Sequence, residues 1–234
     1  MTPNFRWSFS QWEAYDQCPA KWKFQSVLKL PRGAPGPAAA RGLNMHDSVE
    51  RYIGGEDESV LHSDIARKYI PIFDEIRNHP NGDRGCEKRL GMDAEWNLSG
   101  GVSAGPASLT AVVAVLDAYT YLKSTNSDKG VLKIYEWKSG KPKDTHADQR
   151  SLYITFGMKA WLADEVIATT YYLEDTAPPQ RSTLSTQSGW EKLRDKWDQR
   201  ASLMARDSIC APKPSYKCRW CDYRKSAGGP CIFD

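Results

Sequence analysis

No stretch of this 234-residue chain is long and apolar enough to cross a bilayer; the best candidate, Leu109 to Leu122, is short and interrupted by Asp117. The opening Met1-Thr-Pro-Asn-Phe-Arg-Trp-Ser8 lacks the apolar stretch of a secretory signal. A membrane role and export are therefore not expected, and the expected compartment is a reducing cytoplasm. A strong charge of one sign is missing too. Lys and Arg number 32 against 29 Asp and Glu, for a formal net charge of +3. That balance permits a local nucleic-acid surface without demanding one. There is no internal repeat and no low-complexity block. A second CxxC pair is also absent, so the usual two-pair zinc ribbon is not written in the chain. What remains, 40% hydrophobic and 26% charged residues, is ordinary for a globular protein. The length suits one domain with a sizeable core or two small ones.

The pattern of apolar residues predicts helices first and strands afterwards. Ser8 is placed to cap a helix running through Phe9, Trp12 and Tyr15 to Trp22 and Phe24. Pro31 to Ala40 reads as a linker. A second helix is expected from about Ala38 to Ile53, with Leu43, His46, Val49 and Ile53 on one stripe, and a third from Ser59 to Arg77. Cys86 to Leu98 reads as a strand that ends in a glycine-rich loop, Ser99 to Ser108. Two further strands, Leu109 to Leu116 and Val131 to Lys138, flank the turn-forming stretch Ser124 to Gly130. A helix from Thr145 to Leu162, a strand from Glu165 to Leu173, a Pro/Ser/Thr loop and a helix from Gly189 to Asp207 complete the order. This order predicts an α/β fold around a mixed sheet flanked by helices, one domain over residues 1–234.

Asp117 and Glu136-Trp137-Lys138 carry the chemistry. In a hairpin with Asp117 opposite Glu136, the turn centre falls between Asn126 and Ser127, inside the turn-forming stretch. Side chains alternate along a strand, so Glu136 and Lys138 share a face with Asp117 while Trp137 takes the other. Two facing carboxylates repel unless a cation neutralises them, and oxygen ligands of this kind suit Mg²⁺ or Mn²⁺. A lysine beside such an ion can orient a water or stabilise charge on a phosphate, the arrangement for metal-assisted phosphodiester hydrolysis. A D…ExK pattern also arises by chance as a solvated pair.

Cys218-Arg-Trp-Cys221 puts two thiolates on one tight turn, and Cys231 follows. Cys18, beside Pro19, is the best candidate for a fourth ligand, with Cys210 a weaker one and Cys86 outside. One pair plus two isolated cysteines suits a 4Fe-4S cluster at least as well as Zn²⁺. His46 reads either as a core histidine or as a ligand. Gln149 and Tyr153 share a helix face at i, i+4. Lys141, Lys143 and Arg150 can hold a phosphate backbone or form a solvated turn. Trp7, Trp12 and Trp22 can stack on bases, although their helical spacing favours core packing.

Together these positions resemble the PD-(D/E)xK nuclease superfamily, in the RecB-like branch that carries an iron–sulfur staple and includes the AddB nuclease domain and the nucleases of CRISPR adaptation. The resemblance covers nearly the whole chain: Ser8-Phe-Ser10 with Tyr15-Asp-Gln-Cys18-Pro19, then His46, Asp117, Glu136-Trp137-Lys138, Gln149-Arg-Ser-Leu-Tyr153, and Cys218, Cys221 and Cys231. One departure is Val112-Val-Ala-Val-Leu-Asp117, where the family often has a glycine before the aspartate. The resemblance implies a restriction-endonuclease-like fold with the termini joined by a metal cluster. It implies that His46, Asp117, Glu136 and the Trp137 carbonyl ligate a divalent metal, that Lys138 activates the water, and that Glu87 is a further acidic member. Gln149 and Tyr153, with Lys141 and Arg150, would hold DNA. Cys18, Cys218, Cys221 and Cys231 would carry the 4Fe-4S cluster, with Zn²⁺ as the alternative. The implied activity is a Mg/Mn-dependent deoxyribonuclease, an exonuclease on single-stranded or end-bearing duplex DNA. It would serve recombination, replication or repair in a bacterial cell or phage-infected host, with a helicase, recombinase or integrase as partner. The alternative is a DNA-binding or assembly module that does not cut and keeps a structural zinc or iron–sulfur site.

Overall fold

A computed structural model of the chain describes residues 6–80, 83–99, 111–125 and 129–234. Its six-stranded mixed sheet comprises β1 (Trp7–Ser8), β2 (Arg84–Met92), β3 (Val112–Lys123), β4 (Gly130–Lys138), β5 (Glu165–Tyr172) and β6 (Gln180–Leu184). β3 is the hub. Along one edge it pairs antiparallel with β2. The other edge is shared. β1 runs parallel to its start (Trp7↔Val112, Ser8↔Val113), and β4 pairs antiparallel from Ala118↔Tyr135 onward. Ala114 to Asp117 have no ladder partner on that edge, so the sheet forks there. Beyond the fork β4 follows β5 in parallel through Lys138, and β6 closes the far edge antiparallel to β5.

Helices cover both faces. On one side α1 (Phe9–Gln17), α5 (Thr145–Ala160) and α6 (Gln187–Arg206) pack on a core that includes Trp12, Leu116, Leu132, Ile134, Leu152, Phe156, Val166 and Trp197. On the other, α3 (Pro37–Ile53) and α4 (Ile70–Arg77) pack Met45, Val49, Phe73 and Ile76 against Ala118, Tyr135, Trp137 and Tyr171. A short helix, α2 (Pro19–Trp22), follows α1. On β3, Val112, Ala114 and Leu116 join the first core, and so do Tyr119 and Tyr121, whereas Ala118 joins the second. A strand's period of two therefore slips by one residue at Asp117.

Several elements depart from the sequence reading, each for a local reason. The first helix does not run unbroken to Phe24. Cys18 is extended (φ −164°, ψ 108°) because the residue before a proline is kept out of helical geometry. Ser8 occupies the cap position, yet its hydroxyl bonds Ser10 Oγ at 3.0 Å and caps nothing. Leu43 is 64% exposed and leaves the buried stripe of α3 to Met45, Val49, Tyr52 and Ile53. The expected third helix is two 3-10 turns, Glu58–Val60 and Arg67–Tyr69, followed by α4, with Pro71 in its first turn where no N–H is required. β2 stops at Met92, well short of Leu98. β3 begins at Val112 and continues past Asp117 to Lys123, so the aspartate lies inside the strand. β6 reads as loop because an edge strand of polar residues carries no apolar alternation. β1 is too short to carry a pattern. Residues 100–108 of the glycine-rich loop, Leu109 and Thr110, and the expected turn centre at Asn126 and Ser127 lie outside the described residues.

The approach of α5 to the sheet depends on Gly157. A Cβ there would stand 2.6 Å from Leu132 Cδ2 and 3.0 Å from Val166 Cγ1, both side chains fully buried. Gly157→Ala should destabilise the protein by about 1–3 kcal/mol through overpacking. A lower urea midpoint with an unchanged slope would register it, and an unchanged midpoint would refute this packing.

Candidate active site

The fork holds a row of carboxylates. Continuing the ladder registers places Glu87 opposite Asp117 across β2 and β3, and Glu136 opposite Asp117 across β3 and β4. Neither pair is a regular ladder pair. Glu87 has left-handed backbone (φ +49°), a conformation that costs a non-glycine residue energy and concentrates at functional sites. Asp117 Oδ2 instead accepts the Trp137 backbone N–H at 2.7 Å, so a side chain replaces the ladder bond at the fork. From α3, His46 brings Nδ1 to 3.6 Å from the same oxygen. One ligand atom each of His46, Glu87 and Asp117 lies within 4.8 Å of the other two.

Glu136 is the most buried member of the row, at 3% exposed. Its Oε1 accepts from Lys138 Nζ at 2.5 Å and from Gln149 Nε2 at 2.7 Å. Gln149 Nε2 also donates to the Tyr153 hydroxyl at 2.9 Å. The Gln149 and Tyr153 pair on α5 thus shares a face, as its spacing predicts, and that face holds the carboxylate in place. The other oxygen of Glu136, Oε2, is buried with no hydrogen-bond partner. A buried carboxylate oxygen left bare is costly, and a cation would relieve that cost.

The electrostatics agree. Burial, and then the charge of Glu136, push the Asp117 carboxyl well above the usual range; Lys138 and the Trp137 N–H oppose the shift and Glu87 adds to it. Glu87 is raised by burial and by Glu50 and Glu136. Burial acts against the charge of Lys138, yet Glu136 and Asp117 outweigh it and the lysine stays above its ordinary value. His46 is lowered by burial, with Glu136 opposing, so its neutral, ligating form prevails at neutral pH. The Trp137 backbone also opposes the shift. Carboxylates, an imidazole and an orphaned carboxylate oxygen form a donor set suited to a hard divalent ion.

Other expected residues separate. Cys18, Cys218, Cys221 and Cys231 line one cavity between α1 and the C-terminal tail. Backbone N–H groups of Lys213 and Ser215 point at the Cys18 and Cys218 sulfurs, at 3.5 and 3.4 Å. Cys210 is buried in the core, and Cys86 lies on β2 with its thiol pushed to about 12 by burial and neighbouring acids. Lys141 and Lys143 are exposed in the loop after β4. Arg150 is turned inward, contrary to the expectation of a DNA contact. It bonds Thr170 Oγ1 at 2.9 Å and Ser182 Oγ at 3.1 Å, so its guanidinium joins α5 to the sheet. Trp7, Trp12 and Trp22 are all core residues. Two residues escaped the sequence reading. Glu13 on α1 accepts from Thr145 Oγ1 at 2.9 Å, and its charge reaches Lys138. His146, buried and held at about 4 chiefly by burial and Lys138, bonds the Tyr172 hydroxyl at 3.1 Å. Only the tertiary fold brings them here, and no local pattern marks either.

The profile of the PD-(D/E)XK nuclease superfamily matches residues 6–226. The chain belongs to that superfamily, and its α/β fold with a mixed sheet between helices is the restriction-endonuclease-like one. A nuclease-type function follows. No curated protein matches the sequence. Among solved structures, the crystal structure of SSO0001 is similar over 98% of this chain and 88% of its own, at 12% identity and a TM-score of 0.46, a likeness too slight to bear on function. Among the described residues no helix is long and apolar enough to cross a membrane.

The raised Asp117 carboxyl sets a pH dependence. The metal-free fold favours its protonated form, so the stability this group contributes is full below the ordinary carboxylate value. It is lost as pH rises through the higher folded value. A divalent ion reverses the sign because it binds the ionised form. Mn²⁺ should therefore raise the melting temperature, and more so at pH 8 than at pH 6. Asp117→Asn should be more stable than the metal-free parent at neutral pH and show no Mn²⁺ shift. A full shift in the variant would remove Asp117 from the centre.

Proposed function

We propose that the chain is a Mg²⁺- or Mn²⁺-dependent DNA exonuclease of the RecB-like branch, acting on single-stranded or end-bearing DNA during recombination, replication or repair. The observation that carries this reading is the convergence of His46, Glu87 and Asp117 within 4.8 Å, beside Lys138 and the bare oxygen of Glu136. His46, Asp117, Glu136 and the Trp137 carbonyl would hold the ion, with Glu87 completing the set. A bound ion would neutralise a non-bridging phosphate oxygen and acidify water.

The chain's own residues do the rest. Lys138 is anchored on Glu136, and its ammonium orients the attacking water in line with the scissile bond. The water oxygen bonds phosphorus as the bond to the sugar oxygen breaks, and that oxygen leaves with a proton. Gln149 and Tyr153 fix Glu136, and they border the strand near the scissile phosphate. Lys141 supplies a backbone contact from its exposed loop. Arg150 serves the site from behind, by seating α5. Cys18, Cys218, Cys221 and Cys231 hold a 4Fe-4S cluster that ties the N-terminal helices to the C-terminal tail; the shared cavity and the N–H groups on two of the sulfurs support that reading. A helicase, recombinase or integrase would present the DNA end.

Lys138→Ala should keep DNA affinity and lower cleavage by roughly 10²-fold or more, the scale of a lost acid–base or positioning group. The measurement is digestion of end-labelled linear DNA beside closed circles, with Mg²⁺, Mn²⁺ and EDTA. Metal-dependent loss of linear DNA alone identifies the exonuclease. Cut circles would replace it with an endonuclease, and wild-type rates in the variant would overturn the site. Protein purified without oxygen should be brown, with iron and sulfide at about four each per chain. Stoichiometric zinc in place of iron would overturn the cluster.

A further inference from the structure

The Cys218–Cys221 turn carries more than its sulfurs. Between Lys213 and Lys225 the chain has five basic residues and one acid, in a protein whose whole formal charge is only +3. Three neighbours in this segment form an exposed stack. Tyr216 is 70% exposed and Trp220 63%. Their rings meet edge to face at 6.1 Å. The Arg219 guanidinium lies 3.9 Å from the Trp220 ring centroid and 6.0 Å from that of Tyr216. Trp7, Trp12 and Trp22 are buried, so an indole left in water here has no packing role to explain it.

The stack has a definite place. Tyr216 lines a groove of about 610 Å³ together with Lys213 and Lys217 on the tail, Lys143 on the loop that enters α5, Thr145 at the start of that helix, and Glu13 on α1. Asp16 and Asp144 share its walls, so the positive charge is concentrated at the tail end. Glu13, on another wall, accepts from Thr145 Oγ1 at 2.9 Å at the start of α5, the helix whose Gln149 reaches Glu136. The groove therefore lies between an aromatic and basic surface and the start of the helix that holds the carboxylate row.

We infer that Tyr216, Arg219 and Trp220 form a stacking platform for single-stranded DNA, whose backbone then follows Lys213, Lys217 and Lys143 along the groove to Lys138. The inference rests on the nuclease reading and narrows it to strand class and path. Exposed aromatic rings bind bases through their faces, which only an unpaired strand offers, while lysines take the phosphates without reading sequence. A duplex keeps its bases stacked on each other and could use only the lysines. The platform also gives the cysteine site a second task, since Arg219 and Trp220 lie between two of its ligands and owe their position to that turn.

Fluorescence anisotropy with an oligothymidine, in EDTA so that nothing is cut, tests this apart from catalysis. The 234-residue chain should bind the single strand more tightly than a duplex of equal length. The double variant Tyr216→Ala/Trp220→Ala should lose roughly tenfold or more in single-strand affinity, with duplex binding little changed. Trp220→Phe should retain most of the affinity and Trp220→Leu should not, a contrast that separates stacking from bulk. Metal content and melting temperature are measured on every variant, and Arg219→Glu provides an exposed change that reads the same surface. Unchanged single-strand affinity in the double variant would overturn the platform. Equal losses for single strand and duplex would overturn the strand assignment. Either failure leaves the nuclease reading standing, because Lys138→Ala tests that by cleavage.

Discussion

Mutual repulsion among Glu87, Asp117 and Glu136 is the constraint around which this protein is built. Three strands bring these side chains to adjacent positions, and the helices on both faces remove much of the water from Asp117 and Glu136, while Glu87 stays exposed. Carboxylates in that setting are stable only as a protonated, hydrogen-bonded and cation-paired group, or with a divalent ion among them. The fold supplies the first solution in part. Lys138 is drawn onto Glu136, Gln149 donates to the same oxygen, and the Trp137 N–H serves Asp117. What it leaves unsolved, the bare Oε2 of Glu136 and the raised Asp117, defines the demand for a metal.

The backbone bends to meet the same constraint. A continuous ladder from β1 through β4 along β3 would bury Asp117 against main chain. The sheet forks instead, the alternation of β3 slips at Asp117, and Glu87 takes a left-handed backbone beside it. Tight packing on both faces holds this geometry. Trp137 anchors one core against Phe73 and Tyr171, and Gly157 lets α5 approach close enough for Gln149 to reach Glu136. Stability and site are therefore not separable here, since the residues flanking the carboxylates are themselves core residues.

The C-terminal segment packs beside the first helices, far from this centre in sequence. The turn at Cys18 is a consequence of Pro19, and it aims a sulfur at the tail. Tyr15 donates to Asp207, and Tyr223 donates to the Leu30 carbonyl. These contacts bring the C-terminal segment beside α1, whose Glu13 accepts from Thr145 at the start of α5. The cysteine cavity and the groove thus share Gln17, Lys213, Ser215 and Lys217 in their walls.

Much of this was legible in residue order alone. The D…ExK spacing put Glu136 and Lys138 on one face of β4 and Trp137 on the other, whereas the slip of β3 at Asp117 was not legible in it. The same spacing also set the hairpin register, which the pairing of Ala118 with Tyr135 matches. The single CxxC pair and two isolated cysteines singled out the four that line one cavity, and composition excluded a bilayer-spanning segment. The tertiary structure alone decided the rest. Arg150 reads as an exposed phosphate contact yet turns inward, because partners on β5 and β6 capture it and β6 has no apolar pattern to announce it. Glu13 and His146 reach Lys138 only once α1 and α5 dock on the sheet. Glu87 becomes part of the row through a backbone twist that local sequence does not encode. Periodicity and spacing report a residue's neighbours along its own element, whereas side-chain partners across elements are set by packing, and packing is a property of the whole chain.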